Sequence, residues 1–312
     1  MEPDDFFPTP YPAPVTEPRH AWHHEETQFR VKLHTFTNCP PEVTVQRVSF
    51  ERDMDAYHRA WVNGASSCFP RRRSRDPEKT PDPECVERSK RRAKTRVRLL
   101  TQELAPDHFV TFTTREVGPS YLSAEDWAVM WAHFVRLVRS TGAEFEYVAV
   151  LERHPSNPLH LHLHVAWRGR CRYALLHRFW RMAVCARMGL EFTPEMLKGD
   201  KSPGTFRDEP IKAPRGSYKA VRKIARYIAK YLTKESLAEY NKKRYWPSKG
   251  IALEGAKIYY LDSLNQVDAI REACQLVGQW DYDLAVPGQK IFQPSERVVW
   301  FAVDPDRTPP PF

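Results

Sequence analysis

Hydrophobic and polar positions alternate with a period of two in three segments of the chain, and this pattern predicts β-strands. In "HFVTFTTR", residues 108–115, Val110 and Phe112 alternate with threonines. The segments "FEYVAVLE", residues 145–152, and "PLHLHLHVAW", residues 158–167, are also rich in β-branched, aromatic and apolar residues. Because only a short turn separates the last two segments, we expect them to form a hairpin.

Other segments repeat their apolar residues with the period of a helix. In "SAEDWAVMWAHFVRLVRS", Ser123 has the position of an N-cap, and acidic residues occupy the first turn. Its aromatic and apolar residues recur at helical spacing, so they should lie in the core. Two further predicted helices are basic, namely residues 85–104 and about 217–235. Residues 173–188 and 261–277 are also predicted helices.

Strands that alternate with helices around a central hairpin indicate an α+β fold, with an antiparallel sheet flanked by helices. We divide the chain into a proline-rich N-terminal arm with a basic loop (residues 1–84), a central domain (85–240) and a C-terminal extension (241–312). Residues 1 to about 45 contain many prolines and little periodicity, so we expect a loosely ordered arm there.

The chain is basic, with 48 Lys and Arg against 39 Asp and Glu and a formal net charge of +9. Nucleic acid, and not a membrane, is the expected partner, because each Lys or Arg that meets a phosphate releases a counterion. The chain shows no long apolar segment and no signal-peptide pattern, so we expect a cytoplasmic protein. It also contains no CxxC pair and no Walker A pattern, which argues against a zinc knuckle and an ATP-driven motor.

The third strand contains the run "HLHLH", in which His160, His162 and His164 share one face. Neighbouring same-face positions lie about 6.7 Å apart, so two of the three imidazoles can bind one ion. We favour His162 and His164, with Glu152 of the preceding strand as the third ligand; His154 and His160 are the alternatives. Such a set leaves coordination positions open, as in catalytic metal sites. Alternatively, these are histidines on a half-exposed strand that bind no metal.

The last basic helix contains "ARYIAKYLTKE", in which Tyr227 and Tyr231 are four residues apart. On a helix, both phenols lie on one face, about 6 Å apart. Each is followed three residues later by a lysine, Lys230 or Lys234, which would stabilise a phenolate and attract a phosphodiester. The alternative is a basic amphipathic helix whose tyrosines only pack.

In this order, "FVTFTTR", "LHLHVAWRGR" and "YIAKYLTK" resemble the three motifs of the HUH endonucleases, in particular the rolling-circle replication initiators of small phages and plasmids. The preceding "RSKRRAKTRVRLL" is similar to the basic helix of such initiators, so that the resemblance covers residues 85–240. It implies a five-stranded antiparallel sheet flanked by helices. The extra His160 departs from the pattern.

The resemblance also implies residue roles. His162, His164 and Glu152 would bind Mg²⁺ or Mn²⁺, and Tyr227 and Tyr231 would be the nucleophiles. Such an enzyme nicks single-stranded DNA at a replication origin and rejoins it through a 5′-phosphotyrosine.

The expected partners of such an initiator are single-stranded DNA, a host helicase and a host polymerase in a bacterial cytoplasm. The basic segments 71–73, 90–98 and 242–246 are candidate DNA contacts. Within and beyond them, we single out Arg91, Arg92, Lys94, Arg96 and Arg226.

Two other functions fit the same residues. A transposase or a conjugative relaxase would use the same chemistry on another DNA end. A non-catalytic basic DNA-binding protein would use the histidines and tyrosines only for packing.

Overall fold

The computed structural model describes residues 28–48, 83–115, 122–154, 156–197, 202–209, 217–232, 245–263, 265–276, 292–295 and 298–302. Within these residues, ten strands form two five-stranded sheets. The central sheet has the order β6-β3-β5-β4-β7, with β3 (His108–Thr114), β4 (Glu146–His154), β5 (Asn157–Arg168), β6 (Gly204–Asp208) and β7 (Tyr245–Pro247). The terminal sheet has the order β8-β1-β2-β10-β9, with β1 (Gln28–His34), β2 (Glu42–Val48), β8 (Lys257–Leu261), β9 (Phe292–Ser295) and β10 (Val298–Ala302).

Five α-helices pack on these sheets in the described part of the chain. They are α1 (Pro83–Leu104), α2 (Ala124–Arg139), α3 (Tyr173–Met188), α4 (Tyr218–Lys230) and α5 (Gln266–Leu276), and Pro194–Leu197 form a 3₁₀ helix. None of these helices is long and apolar enough to cross a membrane.

The central sheet is antiparallel throughout, and helices cover both of its faces. Leu161, Leu163 and Val165 of β5 point to α2 and α3, where they join a core rich in tryptophan and phenylalanine. Ala166 and the neighbouring strands point to α1 and α4. The predicted α+β fold with a five-stranded antiparallel sheet flanked by helices is therefore confirmed.

Local signals set the helix ends as expected. Ser123 caps α2 and forms a capping box with Asp126. Ser217 accepts a hydrogen bond from the Ala220 backbone N–H at the start of α4. This helix ends at Lys230, with Tyr231 as its C-cap, whereas the pattern predicted a helix to about residue 235; residues 233–244 lie outside the described part.

The expectation of a loosely ordered arm was wrong for residues 28–48, which form the paired strands β1 and β2. Phe29, Val31 and Leu33 alternate with polar residues, and this face packs on α5 together with residues of β2 and β10. Proline content drew attention away from an alternation that was present in the sequence. Residues 1–27 lie outside the described part.

The terminal sheet contacts the helices that cover the central sheet. Glu42 of β2 is buried, pairs with Arg98 of α1 and accepts a hydrogen bond from Gln102 at 2.9 Å. The division of the chain at residues 84 and 240 stays a prediction; β7, which follows residue 240, pairs with β4 of the central sheet.

Candidate active site

Three neighbouring strands bring polar side chains together on the face of the central sheet that α1 and α4 cover. Thr111 of β3 is the cross-strand partner of His164 of β5, and Glu152 of β4 is the partner of His162. Thr111, His164 and Glu152 are all buried. Period-two alternation explains why these residues share the face with Ala166, while Leu161, Leu163 and Val165 take the other.

A chain of hydrogen bonds crosses this face and defines the protonation of His164. The Thr111 hydroxyl donates to Glu209 Oε1 at 2.8 Å and lies 2.9 Å from His164 Nδ1. Because a hydroxyl has one proton, which here goes to Glu209, it accepts from Nδ1–H. Nδ1 therefore carries a proton, and Nε2 is the nitrogen that can bind a cation.

His164 Nε2 lies 2.8 Å from Glu152 Oε2. A neutral imidazole with its proton on Nδ1 and an ionised carboxylate both present lone pairs there, so either a second proton or a cation must lie between them. Two ligands bound at about 2.1 Å and at right angles on one ion are roughly 3 Å apart. The separation and the donor types of this pair therefore fit a shared divalent ion.

The ring of His162 lies nearer to two other histidines than to His164. Its centroid is 4.9 Å from that of His154, 5.0 Å from that of His160 and 6.4 Å from that of His164. Burial, with the neighbouring imidazoles as a second cause, lowers the pKa of His162 to about 4. Within the described ranges, no three His, Cys, Asp or Glu side chains converge to hold a metal ion. His162 would have to rotate to join Glu152 and His164.

The two tyrosines of α4 lie on the same side of the central sheet as His164. The Tyr231 ring stacks on the His164 ring with a centroid distance of 3.6 Å and an interplanar angle of 7°. Tyr227 meets Tyr231 edge-on at 5.1 Å and Phe109 at 5.3 Å. The candidate nucleophiles and the candidate metal ligands are thus neighbours, with no layer of sheet between them.

The two phenols differ in exposure. Tyr227 is 44% exposed, whereas Tyr231 is 8% exposed. Burial raises the pKa of Tyr231, and the hydrogen bond to Tyr227 and the negative charges of Glu152 and Glu209 act in the same direction. The buried phenol is therefore held in its protonated form.

Residues 107–236 match the model of a family of replication-associated proteins, described as "Replication-associated protein ORF2". This segment is less than half of the chain, but it extends from the start of β3 past the end of α4 and contains every residue of the network around His164. The match supports a replication-associated protein that acts on DNA. No curated protein and no solved structure is significantly similar to the chain.

The predicted DNA contacts are exposed where they are described. Arg91, Arg92, Lys94 and Arg96 lie exposed on α1, and Arg226 lies exposed on α4 beside Tyr227. Lys230 is exposed on the last turn of α4. Lys234 and the segments 71–73 and 242–244 lie outside the described residues, while Tyr245 and Trp246 belong to β7.

Two residues of this site were missed in the sequence, namely Thr111 and Glu209. The alternation in β3 indicated which residues share a face with Thr111, but not which strand pairs with β3. No sequence signal pointed to Glu209, which follows β6 and whose backbone N–H donates to the Phe109 carbonyl at 2.8 Å.

Proposed function

We propose that the protein is a rolling-circle replication initiator, a metal-dependent endonuclease that nicks single-stranded DNA at an origin and rejoins it through a 5′-phosphotyrosine. One observation carries this proposal. The buried pair of His164 and Glu152 lies against Tyr231, and Tyr227 lies next to Tyr231 at the surface. The family match of residues 107–236 supports the role in replication.

In the first step, the Tyr227 oxygen attacks the phosphorus of the scissile phosphodiester. A phosphotyrosine bond to the 5′ side forms, and the bond from phosphorus to the 3′ oxygen breaks. The phenol proton passes, directly or through water, to the leaving 3′ oxygen, so that atoms and charge balance. Tyr227 acts first because its exposed phenol can reach a phosphate without a change in packing.

Tyr231 performs the second strand transfer. Its ring stacks on His164, so movement of either side chain changes the surroundings of the other. Once the first phosphotyrosine has formed, Tyr231 can attack a second phosphodiester and free a new 3′ hydroxyl. The energy of the broken bond is kept in the phosphotyrosine, and rejoining needs no ATP.

His164 and Glu152, joined by His162 after rotation of its ring, would hold Mg²⁺ or Mn²⁺. When bound, such an ion polarises a non-bridging phosphate oxygen and offsets the negative charge that develops in the transition state. Thr111 and Glu209 position this site, because they keep the proton on His164 Nδ1 and Nε2 available.

The exposed arginines and lysine of α1, together with Arg226 and Lys230, would bind the phosphates of single-stranded DNA. The bound strand must be unpaired at the nick, so a host helicase would open the duplex. A host polymerase would extend the free 3′ hydroxyl.

A second candidate is a non-catalytic DNA-binding protein. It is favoured by the lack, among the described residues, of three convergent metal ligands. A transposase or a relaxase would share the chemistry proposed above and differ only in the DNA end that it cuts.

Single-stranded oligonucleotides that tile the candidate origin, labelled at either end, test the proposal in the presence of Mn²⁺. A 5′-phosphotyrosine leaves a 3′ label on the protein in denaturing gels and releases a 5′-labelled fragment with a free 3′ hydroxyl. Tyr227→Phe combined with Tyr231→Phe should abolish the adduct. Tyr218→Phe, the same change at the start of α4, is the matched control. Tight binding with no adduct would favour the non-catalytic protein.

A further inference from the structure

The terminal sheet has one covered face and one face with a different character. Phe29, Val31 and Leu33 of β1 pack towards α5, so Arg30 and Lys32 point to the opposite side. We call this opposite side the outer face. An antiparallel sheet with one apolar face and one polar face normally presents the polar face to solvent.

The strand register places basic and aromatic side chains next to one another on the outer face. Arg30 is opposite Tyr260 of β8, and Lys32 lies between Ile258 of β8 and Thr44 of β2. Thr44 is in turn opposite Trp300 of β10. These pairs form two parallel rows across the sheet, from Tyr260 at one edge to Trp300.

The β8 end of the outer face is open. Tyr260 is 59% exposed and Ile258 is 52% exposed, although both are large and apolar or aromatic. The carboxylate of Glu42 on the same sheet is buried and paired with Arg98, so it does not balance Arg30 and Lys32. The open part thus combines two positive charges with an exposed aromatic ring.

The outer face is continuous with the opening of the candidate active site. The guanidinium carbons of Arg222 and Arg226 lie 5.9 and 5.7 Å from the centre of the Trp300 ring. Arg226 directly precedes Tyr227, the exposed tyrosine. A polyanion that reaches Tyr227 can therefore continue past Arg226 and Trp300 onto the sheet.

We propose that the outer face of the terminal sheet is a second binding surface for single-stranded DNA, contiguous with the candidate active site. Bases stack on Tyr260, and phosphates contact Arg226, Lys32 and Arg30. Unpaired bases suit this surface, because every base has a π-face that an exposed aromatic ring can cover, while a duplex hides those faces. The proposal deepens the proposed function, since it rests on a single-stranded DNA substrate.

The test measures binding and not cleavage, in protein that carries Tyr227→Phe and Tyr231→Phe. Fluorescence anisotropy gives the affinity for a short oligonucleotide of about four nucleotides and for a long one of about 16. Tyr260→Ala should weaken binding of the long oligonucleotide about five- to fiftyfold relative to the short one, while Tyr260→Phe should restore it. Lys32→Gln should reduce the slope of log affinity against log salt by about 0.7.

The matched control is Lys257→Gln. Lys257 is exposed on β8 next to Ile258, but it pairs with Leu33 and therefore belongs to the opposite face. This change should alter neither the long-to-short affinity ratio nor its salt slope. An unchanged ratio in Tyr260→Ala, or equal affinity for a duplex of the same length, would overturn the proposal.

The outcome is independent of the cleavage chemistry. If no phosphotyrosine forms in the otherwise unchanged protein, but the Tyr260 effect on binding is present, the proposed nicking fails and the binding surface stands. If the phosphotyrosine forms and the long-to-short ratio does not depend on Tyr260, the binding surface fails and the proposed nicking stands.

Discussion

Tyr227 and Tyr231 lie one turn apart on α4 and yet belong to two different environments. Tyr227 is half-exposed beside Arg226 and meets only ring edges. Tyr231 is buried, stacks face to face on His164, and has a raised pKa. Equal spacing along a helix therefore does not make two phenols equivalent nucleophiles. Their order of action follows from how closely each turn packs on the sheet.

The largest expected effect breaks the comparison directly. Tyr227→Phe should slow the first cleavage by roughly 10³-fold or more, because it removes the only oxygen of the pair that a phosphate can reach. Single-turnover formation of the 3′-labelled adduct measures this rate. Tyr231→Phe should cost less than about tenfold in the first step and remove the second strand transfer. A larger first-step loss in Tyr231→Phe would reverse the proposed order.

The second prediction concerns the carboxylate beside the buried tyrosine. Glu152→Gln keeps the shape of the side chain but removes its charge, so Mn²⁺ affinity should fall by about 100-fold. Calorimetric titration with Mn²⁺ measures the affinity without any reaction. Glu144→Gln, at an exposed glutamate that precedes β4, is the control. If the unchanged protein binds no Mn²⁺, a proton and not a metal joins Glu152 to His164.

The third prediction tests how the ring under Tyr231 is held. Thr111→Val leaves the Nδ1 proton of His164 without its acceptor, which should lower Mn²⁺ affinity about tenfold. The free energy of unfolding should fall by about 1–3 kcal/mol, as measured by chemical denaturation. Thr111→Ser retains the hydroxyl and should recover most of the affinity. Equal losses in both variants would mean that Thr111 acts through packing alone.

The smallest effect follows from the raised pKa of Tyr231. An unfolded chain deprotonates this phenol near pH 10, the ordinary value, while the folded protein keeps the proton to higher pH. The neutral phenol therefore stabilises the fold fully below about pH 10, and this contribution is lost as pH rises through the folded pKa. Tyr231→Phe should flatten the decline of Tm above about pH 10. Tyr260→Phe, at an exposed tyrosine, should leave the decline unchanged.

Much of the fold was predictable because it depends on local periodicity. The alternation in β3, β4 and β5 and the capping residues Ser123 and Ser217 identified elements that the structure contains. The strands β1 and β2 were missed, although Phe29, Val31 and Leu33 alternate with polar residues in the same way. Proline-rich surroundings outweighed a short pattern there.

The candidate site was predictable only in part. The spacing of His162 and His164 and of Tyr227 and Tyr231 indicated which residues share a face. It could not indicate that His164 stacks on Tyr231 or that His162 lies closer to His154 and His160. These contacts depend on side-chain rotamers and on the position of α4 against the sheet.

The amino-acid sequence by itself determined the class of the fold, the face of each strand and the pairing of chemical groups along one strand or one helix. Those properties follow from the two-residue and 3.6-residue periods of the backbone. Only the tertiary structure decided that Thr111, Glu152, Glu209 and Tyr231 surround His164. Residues that are distant in sequence meet where layers pack, and burial there sets which phenol is exposed and which keeps its proton.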